Sequence, residues 1–71
     1  MKAVIDIRKI LIQYEFNTGK QKLLQELADE KGVSLQSLHN YAKTNSARLK
    51  FLLEVAEETG LTIQQLIKEI D

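Results

Sequence analysis

Apolar residues recur along the chain at helical spacing, and nowhere does a two-residue alternation persist. Val4, Ile7, Leu11 and Tyr14 mark one face of a first helix expected over about residues 3–15, with Ile10 beside them. Ile5, Ile12 and Phe16 form a second, narrower apolar stripe on another side of the same segment. Leu23, Leu24, Leu27 and Ala28 predict an inward face for a second helix, begun near Gly19 or Lys20 with Thr18 as its cap and ended near Lys31. Gly32 suits the left-handed position after that helix, and Ser34 caps a third from Leu35 to about Lys43. Its inward residues are Leu38, Tyr41 and Ala42. A fourth helix is expected over about 46–59, opened by Asn45 or Ser46, lined by Leu49, Leu52, Leu53, Val55 and Ala56, and closed by Gly60. Thr62-Ile63-Gln64-Gln65 reads as a capping box that starts a short fifth helix, about 63–70. The expectation is an all-α, compact five-helix fold with no sheet, formed as a single domain over residues 1–71.

Composition narrows what such a bundle can do. There is no cysteine, hence no disulfide, thiolate metal site or cysteine nucleophile, and a single histidine, His39, excludes a polyhistidine zinc site. No paired nucleophile and base or glycine-rich phosphate loop is present, so an enzyme is not expected, and no cofactor or small-molecule substrate is implied. No apolar run reaches the roughly 18 residues of a membrane span, and the charged N-terminus lacks a signal-peptide core, so a cytoplasmic protein is expected. A 71-residue chain without staples needs a compact core, an oligomeric partner, or both.

The segment from Leu24 to Lys43 (LQELADEKGVSLQSLHNYAK) has the physical requirements of a helix-turn-helix. Ala28 is small where two steeply crossing helices touch. Gly32, four places later, tolerates positive φ in the turn. Leu27, Val33, Leu38 and Tyr41 bracket the turn with apolar side chains, and Ser34 opens the second helix. This segment resembles the Cro/lambda-repressor-like (XRE-type) helix-turn-helix family. The stretch from Leu52 to Leu66 (LLEVAEETGLTIQQL) resembles that family's last two helices. The resemblance covers about residues 22–67 and implies a lambda-repressor-like fold with residues 34–43 as the helix that enters the DNA major groove.

A helical wheel places Gln36, His39, Asn40 and Lys43 in a polar stripe opposite Leu38 and Tyr41. Gln36, Ser37, His39 and Asn40 are candidate contacts to DNA bases or to a partner, since Gln and Asn amides can pair bidentately with adenine. The same stripe is also what the wet face of any amphipathic helix looks like. Leu35 sits beside Ala42 on the wheel and is ambiguous: it reads as partly core, or as groove-facing, where the resembled family often has a polar residue. Lys20, Lys22, Ser34, Lys43, Asn45 and Arg48 are candidate phosphate contacts. Ile5, Ile12 and Phe16 either pack under the C-terminus or form a partner interface.

The formal net charge of +0 conceals a gradient. Residues 1–50 hold nine Lys/Arg against five Asp/Glu, and residues 51–71 hold one against five, so +4 is set against −4. The third helix carries no arginine, although arginine or lysine on guanine is the commonest specific base contact. The first motif helix has Leu23 and Leu24 where the family usually has a polar pair. Two readings follow. One is a small phage or bacterial transcriptional regulator that binds operator DNA, as a homodimer on two half-sites. The other is an antirepressor similar to the small phage proteins called modulators of repression, which acts by binding a repressor protein.

Overall fold

The computed structural model describes residues 2–70; the outermost positions of the expected 1–71 domain, Met1 and Asp71, lie outside the described residues. The order of elements is β1 (Lys2–Ile5), α1 (Ile7–Thr18), α2 (Leu24–Lys31), α3 (Leu35–Lys43), α4 (Leu49–Thr59), α5 (Ile63–Leu66) and β2 (Ile67–Ile70). Five helices are present among the described residues, as the apolar spacing predicts. The expectation of no sheet is corrected: β1 and β2 pair antiparallel, with Val4 opposite Lys68 and Ile5 opposite Ile67.

That sheet displaces the first expected helix. Residues 3–5 are strand rather than helix, and α1 begins after Asp6, whose carboxylate accepts the Lys9 N–H at 3.2 Å as an N-cap. The Asp6 N–H in turn donates to the Leu66 carbonyl at 2.7 Å, tying the start of α1 to the end of α5. Val4 and Ile5 are β-branched, a stiffness that suits a pleated strand. Both are 1% exposed. Successive strand residues point to opposite faces, so β1 is covered on both sides there. The fifth helix is correspondingly one turn long, and its expected second half, 67–70, is β2.

Helix ends follow local chemistry in most places. Gly32 and Gly60 stand at φ 66° and 78°, each donating its N–H back into the helix it closes. The Ser34 hydroxyl accepts from the Ser37 N–H at 3.0 Å, and the Thr62–Gln65 box is reciprocal, at 3.2 and 2.9 Å. Two expected starts are corrected. Thr18 does not open α2: its hydroxyl donates to the Tyr14 carbonyl at 2.9 Å, and Gly19 closes α1 in the left-handed region. The second helix starts at Leu24, where Glu26 accepts the Leu23 N–H at 3.0 Å. Nor do Asn45 and Ser46 open α4. Thr44 and Ser46 bond each other in the connector, and Arg48 is the residue before the helix.

The core is built by every element but β2: Ile5 from β1, Ile10 and Tyr14 from α1, Leu27 and Ala28 from α2, Leu38 and Tyr41 from α3, Phe51 and Val55 from α4, and Leu66 from α5. Tyr41 meets Phe51 edge to face with centroids 5.3 Å apart, which fixes how α3 lies against α4. Leu23, expected to face inward, is 53% exposed, and Leu49 and Leu53 of the fourth helix's apolar set are 64% and 52% exposed.

Candidate nucleic-acid interface

The α2–α3 unit is held at its turn by backbone. The Val33 N–H reaches the Ala28 carbonyl at 3.0 Å, across Gly32. Ala28 is fully buried, so no larger side chain holds the two helices apart. Leu38 and Tyr41 anchor the inner face of α3 in the core.

The outer face of α3 then presents Leu35, Gln36, His39, Asn40 and Lys43 together to solvent. Gln36 Nε2 donates to Asn40 Oδ1 at 3.2 Å, so the two amides stand side by side one turn apart. Ser37 is half-buried at the margin, and its hydroxyl accepts from Ser34 at 2.9 Å. Leu35 lies at the edge of this face, 36% exposed and otherwise covered, between the two places open to it on the wheel.

The candidate phosphate contacts divide into two groups. Lys20, Lys43, Asn45 and Arg48 are exposed in the loop before α2, at the end of α3 and in the connector after it. Lys22 and Ser34 are engaged internally. Lys22 pairs with Glu30 at 2.5 Å and lies over the Tyr14 ring at 5.0 Å from its centroid, with its side chain 16% exposed. Ser34 serves the α3 cap on both its donor and acceptor sides.

Sequence reasoning missed the polar cluster that holds α2 in place. Lys31, the last residue of α2, has a side chain only 5% exposed, bonded to Glu58 and 3.9 Å from Glu54. Tyr14 donates its hydroxyl to the other Glu58 oxygen at 2.7 Å. Burial alone would push the Glu58 carboxyl up, but the hydrogen bonds from Lys31 and Tyr14 outweigh it and hold the group below its ordinary range. The Tyr14 hydroxyl is pushed far above its ordinary value of 10.0, first by burial and then by the bond to Glu58. The one legible hint was the spacing of Glu54 and Glu58 on consecutive turns. Their cation comes from α2, which the sequence does not place opposite them.

Of the apolar stripe Ile5, Ile12 and Phe16, only two members share a surface. Ile5 is buried in the sheet, which removes it from any free interface; Ile12 and Phe16 are 58% and 83% exposed on the outer side of α1. Beside α3, an open groove of about 460 Å³ runs between the end of α2 and the start of α4, lined by Asp29, Glu30 and Glu54 as well as Arg48 and Lys50. Its mixed charge sets it apart from the polar face of α3. Among the described residues no group of His, Asp and Glu is placed to hold a metal ion.

A buried small residue at the crossing, a left-handed glycine turn, a capped second helix and a polar outer face define a helix-turn-helix domain of the kind that reads DNA through its second helix. Residues 7–69 match the bacteriophage CI repressor helix-turn-helix domain, and the chain belongs to that family. The match begins at the first residue of α1 and takes in all five helices but not β1. Neither a curated protein nor a solved structure matches the chain. Membership makes it a DNA-binding domain of a transcriptional repressor family rather than an enzyme, with operator DNA as its partner. No helix among the described residues is long and apolar enough to cross a membrane.

Proposed function

We propose that residues 1–71 act as one operator-binding unit, in the cytoplasm, with α3 in the major groove and Gln36, Ser37, His39 and Asn40 addressing base edges. The observation that carries this reading is the paired amides of Gln36 and Asn40 on the exposed face of a helix whose other face is anchored in the core. An amide can give and take one hydrogen bond each at adenine N7 and N6. The 3.2 Å bond between the two side chains keeps them oriented in the free protein and is exchanged for base contacts on binding. Lys20, Lys43, Asn45 and Arg48 supply exposed partners for phosphates on either side of the helix. Lys22 and Ser34 contribute by holding the motif rather than by clamping DNA.

A single recognition helix covers one half-site, so the reading includes a homodimer spanning two. Ile12 and Phe16, one turn apart on α1, are an exposed apolar pair that closes it in this reading. The same exposed pair favours a second reading, in which the surface engages a repressor protein and the chain acts as an antirepressor. Gel retardation on DNA from the chain's own genetic neighbourhood, with and without a repressor encoded there, separates the two. A salt-sensitive complex formed by the chain alone supports operator binding. No complex alone, but altered retardation by the repressor, supports the antirepressor.

A further inference from the structure

The exposed face of α3 is polar except at its first residue. Leu35 is 36% exposed at the margin of that face and is not one of the buried core residues. Its row on the helix continues to His39, and the neighbouring row is the bonded pair Gln36 and Asn40. In the operator-binding reading, on which this inference rests, the N-terminal residues of the recognition helix meet base edges most directly. Leucine has no donor or acceptor. Set against a guanine, adenine or cytosine edge, it would strip water from polar atoms and return nothing. The one apolar feature of the standard bases in the major groove is the thymine 5-methyl group.

We propose that Leu35 is a specificity-determining residue that reads the 5-methyl group of a thymine beside the base addressed by Gln36. The outer face of α3 then has two kinds of reader in adjacent rows, amides for adenine and an aliphatic side chain for thymine. The Leu35, Gln36 and Asn40 readers suit A·T pairs, in keeping with a recognition helix that has no arginine.

Deoxyuridine scanning tests the proposal. Duplexes are enriched from a random-sequence pool with the wild-type chain, and each thymine of the enriched duplex is replaced in turn by deoxyuridine, which removes only the methyl group. Affinity is read by fluorescence anisotropy at fixed salt. One thymine per half-site is expected to lose about fourfold on replacement, the value for a single buried methyl-sized group. In Leu35→Ala, whose fold is checked by circular dichroism, that loss disappears and the two duplexes bind alike. The proposal is overturned if the wild type tolerates every replacement, or if Leu35→Ala keeps the full deoxyuridine penalty. In both cases enrichment and salt-sensitive binding persist, so the operator reading stands while Leu35 falls. If no duplex is enriched, both fall together.

Discussion

Replacing Lys31 by methionine keeps the aliphatic stem of a side chain that is 5% exposed and removes only its charge. In the wild type the ammonium lies between two carboxylates one turn apart on α4, bonded to Glu58 and 3.9 Å from Glu54. A hydrogen bond to a charged partner contributes ~1.5–3 kcal/mol when both sides are dry. Here the carboxylates are 41% and 44% exposed and can rehydrate, which brings the loss down to about 1 kcal/mol. The Glu54–Glu58 repulsion left uncompensated adds ~0.3–0.5 kcal/mol. The total, about 1–2 kcal/mol, corresponds to a melting temperature lower by roughly 5–15 °C in a domain of this size. Thermal melts followed by circular dichroism measure it. The folded carboxyl of Glu58 is held below the ordinary 4.5, so its contribution is present above that value and lost as pH falls through the lower folded one. The gap between wild type and variant therefore narrows on acidification through the folded Glu58 value, below which that carboxyl is neutral in both states. A variant that melts at or above the wild type at neutral pH would refute the reasoning. So would a deficit of equal size above and below the folded Glu58 value, which would point to packing rather than charge.

Four further outcomes are expected. Gln36→Ala and Asn40→Ala should each weaken binding to an enriched duplex by ~1–3 kcal/mol while leaving binding to random DNA and the melting temperature unchanged, by anisotropy competition and circular dichroism. Tyr14→Phe should remove an alkaline loss of stability: the hydroxyl is raised in the folded state, so its contribution is full below 10.0 and declines as pH rises above it, which urea titrations on either side of that value would register. Gly32→Ala should cost ~1–2 kcal/mol from the left-handed backbone alone, because a Cβ there meets nothing within 4 Å, and a larger loss in urea unfolding would reveal an unseen contact. Ile12→Ser with Phe16→Ser should change stability by less than about 0.5 kcal/mol and shift the molecule toward monomer in analytical ultracentrifugation, whereas an unchanged oligomeric state would move the dimer interface elsewhere.

Local chemistry in the sequence determined a good deal of this molecule: the helix-turn-helix with Ala28 at its crossing, the left-handed Gly32, the Ser34 cap and the Thr62–Gln65 box. Each is written within a few consecutive residues, so its physics is complete before the chain folds. The polar row Gln36, His39, Asn40 follows from periodicity once Leu38 and Tyr41 are taken as core. Other features depended on partners far along the chain. Val4 and Ile5 fit a helical spacing with Ile7 and Leu11, and only pairing with Ile67 and Lys68 makes them strand, because a strand's hydrogen bonds are supplied by a distant neighbour and a helix's are not. The same closure buries Ile5 and dissolves the three-residue stripe, leaving Ile12 and Phe16 exposed. Lys22 and Lys31 look like any surface lysines until α1 and α4 bring Tyr14, Glu54 and Glu58 to them. Leu35 is an ordinary apolar residue of an amphipathic helix until packing leaves it 36% exposed at the margin of the outer face. What the sequence determined alone were elements whose hydrogen bonds and caps are local; what the tertiary structure decided was which charges are sheltered and which apolar side chains are left outside, since burial is a property of the packed assembly and of no single segment.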